Sequence, residues 1–456
     1  MANPLYIPEL QEMLASNDVE AIKIFLHTLH PLRTADFMEN LEPKEIWAIL
    51  QHAETPLKVE IFGFFDEAIQ VDIIEQADRK SAALFIGDLP PDDRVDMLQD
   101  VEPDIVDELM PMVPVEERRN IQRLQSYEEE TAGAEMTTDF ARLHEDMSVG
   151  EALQEIIRQA EELETIYYLY VVDEHDHLRG LVSAKKLIAS MTNPQRPLHE
   201  IMETDLVTVR IDEDQEEVAR KVARYDLLAI PVVDEQHQML GIITHDDVLD
   251  MMVEEMTEDA YLSAAVAPLS ETYLETSIPI MSWKRGVWLT VLFFGSSLTA
   301  LLLTQAETSL ATVAWLMSFV PLVISTGGNS GNQSATLIIT ALSTHEITVG
   351  DWVRVVKREF ATGILLGGFL AFCGYLLALV LGFLLKQPGI TPFTALVIPI
   401  TLVLVTLFGT LTGSLLPLLF RRLGLDPALM SNPLVACLCD VSGIFIYLVV
   451  AQLMLL

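Results

Sequence analysis

Long apolar runs in the C-terminal part of the chain limit its fold more than any other feature. Five such runs lie within residues 283–456, at roughly 286–306, 311–340, 360–385, 393–419 and 433–456. Each meets or exceeds the roughly 20 residues needed to cross a bilayer as a helix. Basic residues give the orientation, because they collect on the cytoplasmic side. Lys284 and Arg285 precede the first run, Arg354, Lys357 and Arg358 separate the second and third, and Arg421 and Arg422 separate the fourth and fifth. The other connections carry only Lys386. All three clusters fall on one side if the N-terminus is cytoplasmic and the C-terminus outside.

The rest of the chain is acidic. Residues 281–456 carry 8 Lys and Arg and 6 Asp and Glu, which leaves 20 basic and 61 acidic residues, a net charge of −41, for residues 1–280. Such a charge repels nucleic acid and attracts cations. Leu, Ile, Val, Phe and Tyr are spread regularly through it, which argues against disorder. Cys373, Cys437 and Cys439 all lie in the apolar part, so no disulfide framework or zinc site is indicated. The N-terminus, MANPLYIPELQEML, lacks the basic flank and apolar core of a signal peptide, and the acidic part is expected to stay in the cytoplasm.

Within residues 1–130, short segments such as TADFMENLEPKEIWAIL and DDRVDMLQDV place apolar residues three and four apart, between prolines or acidic caps. They recur every 15 to 25 residues or so, which predicts a small α-solenoid. Residues 136–252 instead contain a duplication. YLYVVDEHDHLRGLVSAKKLIAS and AIPVVDEQHQMLGIITHDDVLDMM follow one plan, with Val171-Val172-Asp173 matching Val232-Val233-Asp234 and Gly180 matching Gly241. The two halves resemble a tandem pair of CBS domains, a regulatory module that often binds adenosine nucleotides or metals.

Polar residues inside the apolar runs are the candidates for chemistry. In FVPLVISTGGNSGNQSATLIIT, Asn329, Asn332, Gln333, Thr336 and Thr340 fall on one side of a helix. Such a stripe must face protein or water. It is either part of an ion path or hydrogen-bonding glue between helices. Gly327 and Gly328 before it are expected to break the helix and free carbonyls, which suit a hard cation. Asp440 is the only acidic residue read as deep within a run. A carboxylate there costs roughly 2.5–3.5 kcal/mol on insertion scales and is a functional candidate by default. Asn432 and Ala436 share its helical face. Asp426, in the loop before the fifth run, is either a ligand at a cytoplasmic mouth or a helix cap.

The connector THDDVLDMMVEEMTEDAYLSAAV places Asp247, Asp250, Glu254 and Glu258 on one helical stripe. Val248, Leu249, Met252, Val253, Met256 and Ala260 take the opposite arc. Like charges four apart weaken a helix, and no Lys or Arg occurs from 225 to 283 to relieve them. The stripe reads as a cation-binding face or as a solvated one.

Taken in order, these parts resemble the MgtE family of magnesium channels over essentially the whole chain. The most specific signals are Pro321 with Gly-Gly-Asn-Ser-Gly-Asn-Gln (327–333), and the Asp-Pro-Ala to Asp-Val-Ser-Gly stretch (426–443). The resemblance implies a multi-domain fold: an α-helical N domain of short helices (1–130), tandem α+β CBS domains (136–252), an acidic connecting plug helix (246–280) and a five-helix transmembrane domain (283–456). It implies a homodimer in the cell membrane with its pore on the two-fold axis. Asp440 matches the family's pore carboxylate, Asn432 a position near the ion, and Asp426 one at the mouth. Glu216, Asp226, Asp247, Asp250, Glu255, Glu258 and Asp259, joined by Asp92 or Asp93, sit where the family places regulatory Mg2+ ligands.

On that basis the chain is expected to conduct Mg2+ inward along the membrane potential, and to close when cytoplasmic Mg2+ bridges its acids. The absence of a G-x-x-x-x-G-K-[ST] loop agrees with transport that needs no ATP hydrolysis. Gly241-Ile-Ile-Thr-His-Asp-Asp also fits the ribose-binding pattern of CBS halves through Thr244 and Asp247, whereas Lys186 stands where the first half would need Asp. ATP either tunes the gate there or the site is vestigial. The competing readings are an ion-coupled transporter and a non-conducting Mg2+ sensor. An intramembrane protease is excluded, because His345 is the only histidine after residue 245. No enzyme activity is expected, and the sequence does not rank Mg2+ against Mn2+, Co2+ or Ni2+.

Overall fold

A computed structural model of the chain describes residues 7–160, 163–269, 273–274, 276–384, 389–429 and 432–455. Lys386 lies outside the described residues. Two compact units are present, Met1–Val253 and Glu254–Leu456.

The first unit begins with ten short helices: α1 (Ile7–Ala15), α2 (Val19–Thr28), α3 (Pro31–Met38), α4 (Pro43–Leu50), α5 (Thr55–Gly63), α6 (Glu67–Gln76), α7 (Arg79–Asp88), α8 (Pro91–Asp100), α9 (Pro103–Leu109) and α10 (Val115–Leu124). Their lengths follow from their punctuation. Proline opens α3, α4, α8 and α9, where its missing N–H costs nothing. Asp18 and Asp78 cap α2 and α7 by accepting from Ala21 N and Ser81 N. Packing joins next-but-one neighbours, with α3 on α5, α4 on α6, α6 on α8, α7 on α9 and α8 on α10. The superhelix so formed encloses Ile46, Leu50, Phe62, Ile74 and Phe85.

The duplicated region forms two sheets of one design. In the first, β1 (Phe140–His144) runs parallel to β2 (Thr165–Val172), which pairs antiparallel with β3 (Leu178–Ser183); α11 (Val149–Gln159) and α12 (Ala184–Ser190) complete it. In the second, β4 (Val209–Arg210), β5 (Ala229–Val233) and β6 (Met239–Thr244) repeat the pattern with α13 (Gln215–Tyr225) and α14 (His245–Ser263). Val171 pairs with Gly180, and Val232 with Gly241. The halves exchange their leading segments: Thr137 pairs with Ile242, and Glu203 with Leu181. Both glycines serve this exchange. A Cβ on Gly180 would lie 2.6 Å from Met202 Sδ, and one on Gly241 2.7 Å from both Met136 Sδ and Thr137 O. The connecting helix is shorter than the stretch 246–280 expected of it, because α14 ends at Ser263.

In the second unit the long helices are α15 (Ile278–Leu310), α16 (Val320–Ser343), α17 (Trp352–Leu384), α18 (Val397–Arg422) and α19 (Asn432–Leu455). Among the described residues four helical stretches are long and apolar enough to cross a membrane: Ile278–Thr304, Val349–Leu384, Thr394–Arg422 and Asn432–Leu455. α16 has the length, but its run of Gly, Asn, Ser and Gln lowers its hydropathy. Two expectations about this second run need correction. It begins at Val320, one residue before Pro321, because residues 311–319 form 3-10 turns. Gly327 and Gly328 do not break it either; α16 is one helix from 320 to 343.

The glycines of α16 act in packing instead. Gly327 and Gly331 face Gly409 and Gly413 of α18. A Cβ on Gly409 would lie 2.6 Å from Gly327 O, and one on Gly413 2.1 Å from Gly331 O. Small residues four apart on both helices let the backbones touch, as in membrane helix pairs generally. α18 packs on α17, α16 and α19, and α16 packs on α19. Tyr447, buried in α19, donates to Leu316 O at 2.8 Å.

Candidate functional site

The close crossing with α18 decides which side of α16 is left open. Its glycine and serine face is buried, while Asn329, Gln333, Thr336 and Thr340 remain exposed and Asn332 is half-buried. Next to this open face runs α19. Thr336 Oγ1 donates to Asn432 Oδ1 at 3.3 Å. Eight residues earlier on α16, a Cβ on Gly328 would sit 3.6 Å from Asp440 Oδ1 and 3.7 Å from the Cβ of Ala436. The two helices therefore run antiparallel with Gly328 beside Asp440 and Thr336 beside Asn432, and Asn332 falls midway. The Asn332 Oδ1 is buried without a hydrogen-bond partner. Asn329 instead donates to Ser325 Oγ on its own helix at 3.2 Å. Asp426 accepts from Ala428 N at 2.8 Å and so caps the turn before α19.

A second membrane-unit carboxylate went unread in the sequence. Glu359, one residue before the third apolar run as read, is buried in α17. Ser334 Oγ donates to its Oε2 at 2.6 Å, and the Thr410 hydroxyl to its backbone oxygen at 3.4 Å. Asp440, itself only half-buried, is thus not the only acid set within the long helices of this unit. The signal available was the isolated Glu in KREFATG, at the edge of the run.

In the first unit, acids gather between α8 and the start of α14. Asp92 and Asp93 open α8, and Asp246, Asp247 and Asp250 lie in the first turns of α14. Burial pushes the Asp92 carboxyl well up from its usual range, and Asp93, Asp247 and Glu164 push it further. Asp93 is raised to about 6, by burial and then by Asp247, Asp246 and Asp250. Glu164 is raised to about 7, by burial and then by Asp247 and Asp93. Burial raises Asp247 too, against the Thr244 hydroxyl and amide that bond to its Oδ2 at 2.5 and 3.1 Å. Asp92 Oδ1 is buried with no hydrogen-bond partner. The fold thus brings Asp92 and Asp93 to Asp247 and Asp250, and adds Glu164 and Asp246, which the sequence reading missed. Glu216, in the first turn of α13, and Asp226, at its left-handed C-cap, sit at opposite ends of that helix and outside the cluster. Glu254, Glu255, Glu258 and Asp259 follow on α14.

Comparisons with known proteins agree with this architecture. A family model described as a divalent cation transporter matches residues 320–450. The model of the MgtE intracellular N domain matches 29–130, and that of the CBS domain matches 132–193 and 198–254. The magnesium transporter MgtE of Thermus thermophilus is 38% identical over 450 residues, covering 98% of either chain. The protein of that name from Bacillus subtilis is 28% identical, over 96% of this chain and 95% of its own. Among solved structures, the soluble part of a magnesium transporter covers 54% of this chain and 97% of its own, at 29% identity and a TM-score of 0.51. The chain is a membrane transporter of divalent cations that carries its own paired CBS domains. It belongs to the MgtE family.

Proposed function

We propose that two copies of this chain form a channel that conducts Mg2+ into the cytoplasm and closes when Mg2+ there is plentiful. One observation carries the reading: in a single chain, the polar face of α16 beside Asp440 is left open. Lipid cannot satisfy Asn329, Asn332, Gln333 and Thr336. A second copy facing the first across a two-fold axis encloses them as a water-filled path lined by Asp440, Asn432 and Thr336, with Asp426 toward the cytoplasmic end. The exposed Leu249, Met252, Val253 and Met256 of α14 support the same dimer. Mg2+ gives up its water reluctantly, so the ion passes largely hydrated, held by the Asp440 carboxylates. An inside-negative potential adds roughly 4.6 kcal/mol per 100 mV for two charges. The basic clusters support an orientation with the N-terminus inside and the C-terminus outside.

The acid cluster of the first unit fits a regulatory ion. It offers only oxygen ligands, which Mg2+ prefers, and one of them, Asp92 Oδ1, lacks any partner. Asp92, Asp93, Asp247 and Glu164, with Asp246 and Asp250 beside them, would hold the ion, whose charge offsets their repulsion. Without it the carboxylates push α8 away from α14, and the gate is released. Glu216, Asp226, Glu254, Glu255, Glu258 and Asp259 are proposed as further ligands along α13 and α14. Thr244 and Asp247 stand together as a ribose contact requires, so ATP and Mg2+ compete for Asp247 if both bind.

The test is Mg2+ flux into liposomes under a set potential, wild type beside Asp440→Asn. Flux that follows the potential and is lost in the variant supports the channel. Flux that needs a second ion gradient points to a coupled transporter, with Glu359 as the extra carboxylate such a mechanism would use. No flux in either protein points to a sensor.

A further inference from the structure

The turn joining β2 to β3 carries a group of side chains that neither the pore nor the Mg2+ cluster uses. Asp173 Oδ1 accepts from His175 N at 2.8 Å and from His177 N at 3.0 Å, closing the turn. The matching turn in the second CBS half is built identically, with Asp234 Oδ1 accepting from Gln236 N at 2.9 Å and Gln238 N at 2.8 Å. Asp176 and His237 take the same left-handed position, at φ 61° and 67°. The duplication is an internal control. The turn needs its Asp, but it forms equally well with Gln at both positions where the first half has His. The two imidazoles have no folding duty that Gln does not fulfil.

Their placement suits a metal. A ring nitrogen of each His and a carboxylate oxygen of Asp173 lie within 4.8 Å of one another. A tetrahedral ion with bonds of about 2.1 Å holds its ligands roughly 3.4 Å apart, so small side-chain rotations close the set. His177 Nδ1 already lies 3.1 Å from Asp173 Oδ2. That spacing is close to the roughly 3.4 Å of a ligand pair, so an ion between His177 Nδ1 and Asp173 Oδ2 would replace the hydrogen bond they now share. Arg179 Nη2 also holds Asp173 Oδ2, at 2.8 Å, but its side chain is 52% exposed and turns to solvent when a cation takes that oxygen.

We propose that Asp173, His175 and His177 bind a borderline divalent transition-metal ion such as Zn2+, Ni2+ or Co2+. Imidazole with one carboxylate favours these ions, whereas Mg2+ takes oxygen ligands, so this site does not duplicate the acid cluster. It also lies where the CBS halves meet: Leu178 N donates to His237 O at 3.0 Å, and Met239 N to Asp176 O at 2.9 Å. A bound ion braces that junction.

The experiment is equilibrium dialysis of the full-length protein in detergent against micromolar Zn2+, with millimolar Mg2+ present to fill the oxygen sites. Wild type is compared with H175Q/H177Q, which copies the sister turn and so preserves the fold; an unchanged melting temperature checks this. The expected result is one more Zn2+ per chain in wild type. Visible absorption of bound Co2+ should show a tetrahedral band that the variant loses. Equal zinc in the two proteins, or none in wild type, overturns the proposal.

Discussion

The contact between α16 and α18 sets the membrane unit's tolerance for a single methyl group. Gly413→Ala would place a carbon 2.1 Å from Gly331 O, 2.9 Å from Gly331 C and 3.1 Å from Ala335 N. Carbon and oxygen approach no closer than roughly 3.3 Å even in the tight contacts between packed helices. The helices must therefore separate by about 1 Å, and since Gly409 rests on Gly327 one turn away, the whole crossing opens. Overpacking of this kind costs about 1–3 kcal/mol, and backbone atoms cannot rotate aside, so about 3 kcal/mol is expected. For a unit of some 200 residues that lowers Tm by about 6–12 °C. Gly368→Ala is the control, because its added carbon meets nothing within 4 Å. The assay is thermal unfolding in detergent followed by tryptophan fluorescence, with Mg2+ flux measured in parallel. Gly413→Ala should melt well below Gly368→Ala and conduct poorly, because α16 carries the polar face. If the two variants melt together and both conduct as wild type does, the argument for the close crossing is wrong.

Other consequences can be checked as directly. Asp92→Asn with Asp247→Asn should leave flux intact but abolish its closure by cytoplasmic Mg2+; normal closure in that pair would remove the cluster from the gate. In divalent-free buffer, residues 1–253 should be more stable at pH 5 than at pH 7.5. Their carboxyls with raised pKa bind more protons when folded, so stability falls as pH rises from about 4 toward the values near 6 and 7 of Asp93 and Glu164. Melting curves at pH 5, 6 and 7.5 check this, and Mg2+ should restore the loss at pH 7.5. Gly241→Ala should destabilise the CBS pair by about 1–3 kcal/mol, because Thr137 O cannot yield; hydrogen exchange of β6 reads it. Glu359→Gln keeps an acceptor for Ser334 and should fold, while Glu359→Leu strands a buried hydroxyl and should lower Tm.

Much of the architecture was legible because its signals are local. Prolines and acidic caps mark α3 to α9 wherever the chain is read. The repeated Val-Val-Asp and Gly give the CBS register residue for residue, since a pleat allows no slippage without turning every side chain over. The stripe on α16 was legible from helical periodicity, and its nearness to Asp440 followed once α19 was seen to lie antiparallel. What failed depends on contacts distant in sequence. Gly327 and Gly328 weaken an isolated helix, so a break was the local expectation; Gly409 and Gly413, some 80 residues on, turn them into a packing surface. Glu164 and Asp246 look like ordinary surface acids until the fold sets them against Asp93. Glu359 was passed over because hydropathy places the start of a span by average, and one buried carboxylate at its edge does not change the average.

The exchange of leading segments between the CBS halves also bears on how such a chain arises. Neither half covers its own sheet edge: Leu181 of β3 is bridged by Glu203 from the second half, and Ile242 of β6 by Thr137 from the first. A solitary half would have no partner for that edge except a second copy of itself. The pair is therefore expected to fold as one unit, as a swapped dimer joined into a single chain would. Cutting the linker between residues 193 and 198 should yield fragments that are insoluble apart and reassemble when mixed.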